Sequence, residues 1–271
     1  MPMLGAILVP HPPALLPEVG RGRERALSDT ESAIRAVAAQ AARWEPDVLM
    51  VVSSHTGLYE DYFHLSSGGG AAGDLSDFGA PQVRLQTGYD TQLREVIASR
   101  AQRAGLKTGV FGSQAGWLDH GVTVPLYFLH KAGVTCPIVR IGVSGCGPAA
   151  HYRLGKCAAE AAEALGRRAL LVASGNLARR REEDGSTPER EERITAALAS
   201  GEFVELLMET PPEDRQAAGC GLRAFQIMAG ALDGRSVAPR LLSHEAPCGA
   251  GYAVALFRVT GREESRRFVR A

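Results

Sequence analysis

No two cysteines in this sequence are spaced as Cys-x-x-Cys. The five that occur, at positions 136, 146, 157, 220 and 248, are scattered singly along 271 residues. That argues against a disulfide framework and a structural zinc site, and suits a reducing cytosol. A charge surplus is missing as well, since Lys plus Arg and Asp plus Glu both number 30. With neither a basic excess nor an acidic tail, nothing favours nucleic acid or an anionic membrane as a partner. Long apolar runs are also lacking: the longest uncharged stretches, such as residues 109–118, contain Gly, Ser and Gln and cannot span a bilayer. The first apolar run is too short for a secretion signal and no basic region precedes it, so a cytoplasmic location is expected.

What is present starts with Gly5-Ala-Ile-Leu-Val-Pro10-His11-Pro12-Pro13. Five small or branched apolar residues read as a short buried strand, stopped by prolines that cannot extend a ladder. His11 therefore sits at a stiffened strand end, placed to be a ligand or an acid/base group. Residues 21–44 carry apolar side chains at helical spacing, and Val48-Leu-Met-Val-Val52 follows as a second buried strand ending near His55. A helix feeding such a strand marks a largely parallel sheet. If these two strands are adjacent, both imidazoles stand at one carboxyl edge, where α/β proteins place their sites.

The glycines 68, 70 and 73 match a dinucleotide fingerprint formally, but no helix starts after them, so residues 66–79 read as a loop. Residues 90–104 form an amphipathic helix stopped by Gly105. His120 stands at the next element boundary, ahead of an apolar segment. Strands are expected over 137–143 and 169–174, with an alanine-rich helix over 148–165 between them. Helices are expected over 191–208 and 213–232, and last strands over 237–242 and 252–259, with Glu245 on the turn between. No repeat, linker or composition break appears. The expected architecture is a single-domain α/β/α sandwich spanning residues 1–271, with a mixed, largely parallel central sheet.

Two histidines and one carboxylate from different strand ends make a facial triad, which leaves one face of an octahedral metal open and suits non-haem Fe(II). The same ligands can hold zinc with a water in the fourth place. Residue types alone leave both metals open.

The motifs themselves resemble a known family. Pro10-His11-Pro-Pro, Pro17-Glu-Val-Gly20, Ser54-His55-Thr-Gly, Asp61-Tyr62-Phe, Gly73-Asp74 and Phe78-Gly-Ala-Pro81 look like class III extradiol ring-cleavage dioxygenases of the LigB type. So do Leu118-Asp-His120-Gly, Val124-Pro-Leu-Tyr-Phe128, Ser174-Gly-Asn-Leu177, Cys220-Gly221 and His244-Glu245-Ala-Pro247-Cys-Gly-Ala-Gly-Tyr252. The resemblance runs in order from Ile7 to Phe257. It extends to the dioxygenase-like part of AmmeMemoRadiSam proteins, and MEMO proteins share the fold. It implies Fe(II), or zinc or another divalent ion as isolated, held by His11, His55 and Glu245, with His120 as acid/base residue. It also implies a small aromatic substrate and O2, and either a homo-oligomer or a second subunit.

The sequence departs from the family pattern after its central strand. There the run is Ser174-Gly-Asn-Leu-Ala-Arg179, with arginine where a second acid/base histidine is usual and Asn176 where aspartate is usual. Arg179 either turns inward, where its planar fork would anchor a substrate carboxylate, or outward with Arg180 and Arg181 in a solvated loop. The replacement leaves open a second reading, a non-cleaving metal-binding relative serving as partner or regulatory subunit. A zinc hydrolase on the same ligands is a third. His244 and Cys248 flank the site as groups supporting the ligands, or simply pack. His64, His130 and His151 match no ligand position and read as core or surface residues. Cys220 shows no partner base, and Trp117 and Tyr127 read as core.

Overall fold

The fold is that of a computed structural model, which describes residues 2–112, 116–177, 188–209, 221–247 and 251–268. Its centre is β1 (Met3–Val9), buried along nearly its whole length as its unbroken apolar composition requires. Parallel to it runs β8 (Ala169–Ser174), then β2 (Val48–Ser53), then β7 (Ile138–Gly142), giving four parallel strands. On the other side of β1, β10 (Tyr252–Arg262) and β9 (Arg235–Glu245) add antiparallel pairings. The six-stranded order is β7-β2-β8-β1-β10-β9.

Alternation along the strands divides the core in two. Ile7, Val9, Leu49, Val51, Val254 and Leu256 face α2 (Ser28–Trp44) and α4 (His120–Lys131). Ala6, Leu8, Met50, Val52, Ala253 and Ala255 face α3 (Thr91–Arg103), α5 (Pro148–Ala164), α6 (Pro188–Ser200) and α8 (Leu222–Ala231). The result is a three-layer α/β/α sandwich around a mixed, mostly parallel sheet. Among the described residues no helix is long and apolar enough to cross a membrane.

Several expectations change. β1 and β2 are not neighbours, because β8 lies between them; both still end at the same edge. Residues 66–79 are not a loop throughout: β4 (Gly70–Leu75) pairs antiparallel with β5 (Ala80–Gly88). β4 is built of small residues with every second one buried, so it lacks the bulky alternation by which a strand is normally recognised. The helix expected from Arg21 begins only at Ser28, after a 3-10 turn over Arg23–Leu27. The helix expected over 191–208 is broken at Gly201, whose φ of +75° is left-handed, and resumes as α7 (Val204–Met208).

Candidate metal centre

Three elements deliver three imidazoles to the carboxyl edge of the parallel strands. His11 follows β1 by two residues and is 1% exposed, its backbone N–H donating to Asn176 Oδ1 at 3.3 Å. His55 follows β2 by two residues, its N–H donating to Ser53 Oγ at 3.2 Å. His120 is the first residue of α4. The approach to α4 is set by a strand-like run beside β4, where Ala72 N–H donates to Gly116 O and Leu118 N–H to Ala72 O. The run lies so close that a Cβ on Gly73 would stand 2.5 Å from Leu118 O, which is why the position carries no side chain.

The Nε2 atoms of His11 and His55 are 3.0 Å apart. Ring centroids are 4.8 Å apart for His11–His55, 5.4 Å for His11–His120 and 4.0 Å for His55–His120. One ligand atom from each ring lies within 4.8 Å of the other two, so His11, His55 and His120 can hold a metal ion. Two nitrogens at ~2.1 Å from one ion and at right angles to each other are about 3.0 Å apart, so the His11–His55 spacing fits two neighbouring ligands.

The electrostatics suit ligation, which needs neutral imidazoles. Burial pushes His11 down to about 4, against a smaller upward pull from Asp119. Burial also pushes His120 down to about 4, helped by the neighbouring His55 and His11 and opposed by Asp119 and Asp77. Asp119 is itself held on two sides. Its Oδ1 accepts from Ser53 Oγ at 2.7 Å, and its Oδ2 lies 3.9 Å from the Arg140 guanidinium, which is buried on β7 and donates to Trp117 O.

Glu245 is the last residue of β9, in register with Tyr252, rather than on a turn. It stands at the same sheet edge as His11, two strands away, and on the α2/α4 face. Its Oε1 accepts from the Thr30 N–H at 2.8 Å, one of the donors a helix start leaves without an intrahelical partner. It is not among the three residues that converge. His244 points to the opposite face, its Nε2 2.7 Å from Glu191 Oε1 of α6. Trp117 is 49% exposed rather than core, and Phe78, 39% exposed, sets its ring 5.1 Å from that of His120. Tyr127 is buried, as are His64 and His151. Arg179, Cys220 and Cys248 lie outside the described residues.

The sequence reading assigned no role to Ser53, Asp119 or Ser174, the last two quoted only within motifs, although each touches the site. One signal could have found two of them: Ser53 and Ser174 are the polar last residues of otherwise apolar strands. A buried hydroxyl at such a place must find a partner.

Against known proteins, residues 5–255 match the family described as the catalytic LigB subunit of aromatic ring-opening dioxygenase. Protein CA_C1420 of Clostridium acetobutylicum is 28% identical over 285 residues, an alignment that takes in 98% of this chain. The chain spans 60% of the length of that relative. Among solved structures, the uncharacterized protein JW3007 from Escherichia coli K12 superposes with a TM-score of 0.56 at 15% identity. That superposition covers 94% of this chain and 99% of the other, and at this identity it speaks for the fold alone. The family match covers both strand-end histidines and His120 along with nearly the whole sheet, and on it the chain belongs to the LigB family of aromatic ring-opening dioxygenase catalytic subunits.

Proposed function

We propose that the chain is a non-haem Fe(II)-dependent extradiol-type dioxygenase that inserts O2 into a catecholic or phenolic substrate. The observation that carries this reading is the pair of imidazole nitrogens of His11 and His55, 3.0 Å apart at the sheet edge. His11 and His55 would hold the ion, with Glu245 as third ligand: the Thr30 N–H occupies one carboxylate oxygen and leaves the other. Two imidazoles and a carboxylate keep one octahedral face open for a chelating substrate and O2. When bound, Fe(II) would supply the redox and Lewis-acid chemistry that ring opening by dioxygen requires.

The remaining work falls to the chain's own groups. His120, neutral and beside the pair, would take the proton of a substrate hydroxyl at a ring nitrogen and return it later. Phe78, next to His120, would exclude water from one side of the ring. Arg179 would anchor a substrate carboxylate through two parallel hydrogen bonds, favouring a phenolic acid over plain catechol.

A second reading draws support from the His11–His55–His120 grouping, because three imidazoles and a water make a catalytic zinc site. Arginine in place of the second acid/base histidine would fit a member that binds metal without cleaving rings. One experiment separates these. Protein purified without oxygen is assayed for metal, loaded with Fe(II), and given catechol and O2. The proposal expects one O2 consumed per substrate and a yellow ring-opened product. Tight zinc with no O2 uptake supports the second reading, and failure to bind any divalent metal ends both.

A further inference from the structure

Ser174 closes β8 between the two strands that carry His11 and His55, and it is fully buried. Its Oγ makes two contacts. One is to the backbone carbonyl of Gly121, the residue after His120, and the other is to His11 Nδ1 at 2.8 Å. A carbonyl can only accept, so the single hydroxyl proton of Ser174 must point at Gly121 O. The oxygen then has only lone pairs left for His11, and Nδ1 must carry the proton. The opposite nitrogen, Nε2, is thereby left with its lone pair, aimed at the gap shared with His55.

We infer that Ser174 is the positioning residue of this centre: it fixes His11 as the Nδ1–H tautomer and ties that ring to the start of the helix bearing His120. The metal consequence rests on the reading above, but the tautomer does not. One hydroxyl couples two of the three imidazoles, so its loss should free both the ring orientation of His11 and the N-terminus of α4. Groups that orient a ligating histidine in this way are typically worth about 10–100-fold in metal affinity.

The test uses the full chain, metal-free, at pH 8. Long-range 1H–15N correlation spectra of the ring nitrogens report the tautomer of His11 directly. Wild type should show Nδ1 protonated. Ser174→Ala should shift His11 toward a mixture of tautomers, and Ser174→Thr, which keeps the hydroxyl, should restore the wild-type pattern. Titration with Co(II), read by its visible spectrum, should show affinity down about 10–100-fold in Ser174→Ala and recovered in Ser174→Thr. Nε2 protonation in wild-type His11 overturns the inference with no variant needed. So does an unchanged tautomer in a folded Ser174→Ala. If wild type shows the Nδ1–H tautomer and its shift in Ser174→Ala but takes up no Co(II), Ser174 keeps its role and the metal reading fails.

Discussion

At the scale of single residues, the question is which third group completes the pair formed by His11 and His55. His120 is already beside them, whereas the Glu245 carboxylate is bound to Thr30 N–H. The proposal expects Glu245→Ala to lose metal affinity at least tenfold. It expects His120→Ala to keep the metal and lose about 10²–10⁴-fold in turnover, the usual worth of a positioned acid/base group. Metal titration of the two variants decides, and the reversed pattern makes the three histidines the ligand set. Arg179→Ala bears on specificity. A broken charge-assisted pair costs about 1.5–3 kcal/mol, so binding of a carboxylated catechol should weaken more than tenfold while catechol is unaffected. Equal losses for both ligands would remove the anchoring role.

At the scale of elements, the part of the site that most depends on packing is the run from Gly116 to His120. It leans on β4 at Gly73, where an added methyl would meet Leu118 O at 2.5 Å and Leu118 Cβ at 2.7 Å. Gly73→Ala should therefore destabilise the fold by about 1–3 kcal/mol, as overpacking does, and should move His120 away from His55. Denaturant unfolding measures the first effect. A fall in turnover with metal affinity retained would show the second. This element also marks where the sequence was hard to read. β1, β2 and β8 were legible because buried parallel strands leave long apolar runs, and β7 because its apolar residues flank the single buried Arg140. β4 was not, because glycine and alanine satisfy a close approach without displaying a periodicity. His11 and His55 could be placed at strand ends, yet the insertion of β8 between their strands depends on pairing between distant segments. Local pattern does not record such pairing. The same holds for Ser174 and Asp119, whose partners are 163 and 66 residues away.

Over the whole molecule, acid should act through buried neutral histidines. His151 is fully buried, accepts from Ser144 N–H at Nε2 and donates from Nδ1 to Gly147 O, and burial holds it down to about 4. In the unfolded chain a histidine titrates near 6.5. Between those values the unfolded state binds the proton and the folded state does not, so stability is full above about pH 6.5 and falls as the pH drops toward about 4. The loss approaches about 3 kcal/mol for such a histidine at the lower limit. His11 and His120 add to it in metal-free protein. Chemical denaturation of metal-free protein from pH 7.5 to 4 should show this decline, and His151→Asn should flatten it. A stability that holds level to pH 4.5 would mean these rings are hydrated in solution.

The strand order β7-β2-β8-β1-β10-β9 also bears on how the chain comes to its native state. Among the described strands of this six-stranded sheet, only β9 and β10 are neighbours both in sequence and in space. Every other pairing within that six-stranded sheet closes a long loop before it gains a ladder, which makes for slow, non-local folding. His11 and His55 meet only once β8, more than a hundred residues downstream of β2, has entered the gap between their strands. A polypeptide still emerging from the ribosome has both histidines long before it has that strand. An ion held by the pair would find its seat only after the sheet has closed, and would then deepen the finished state by mass action, about 2.7 kcal/mol at a hundredfold excess over its dissociation constant. Metal would thus act here as a lock on a completed fold rather than as a nucleus for it.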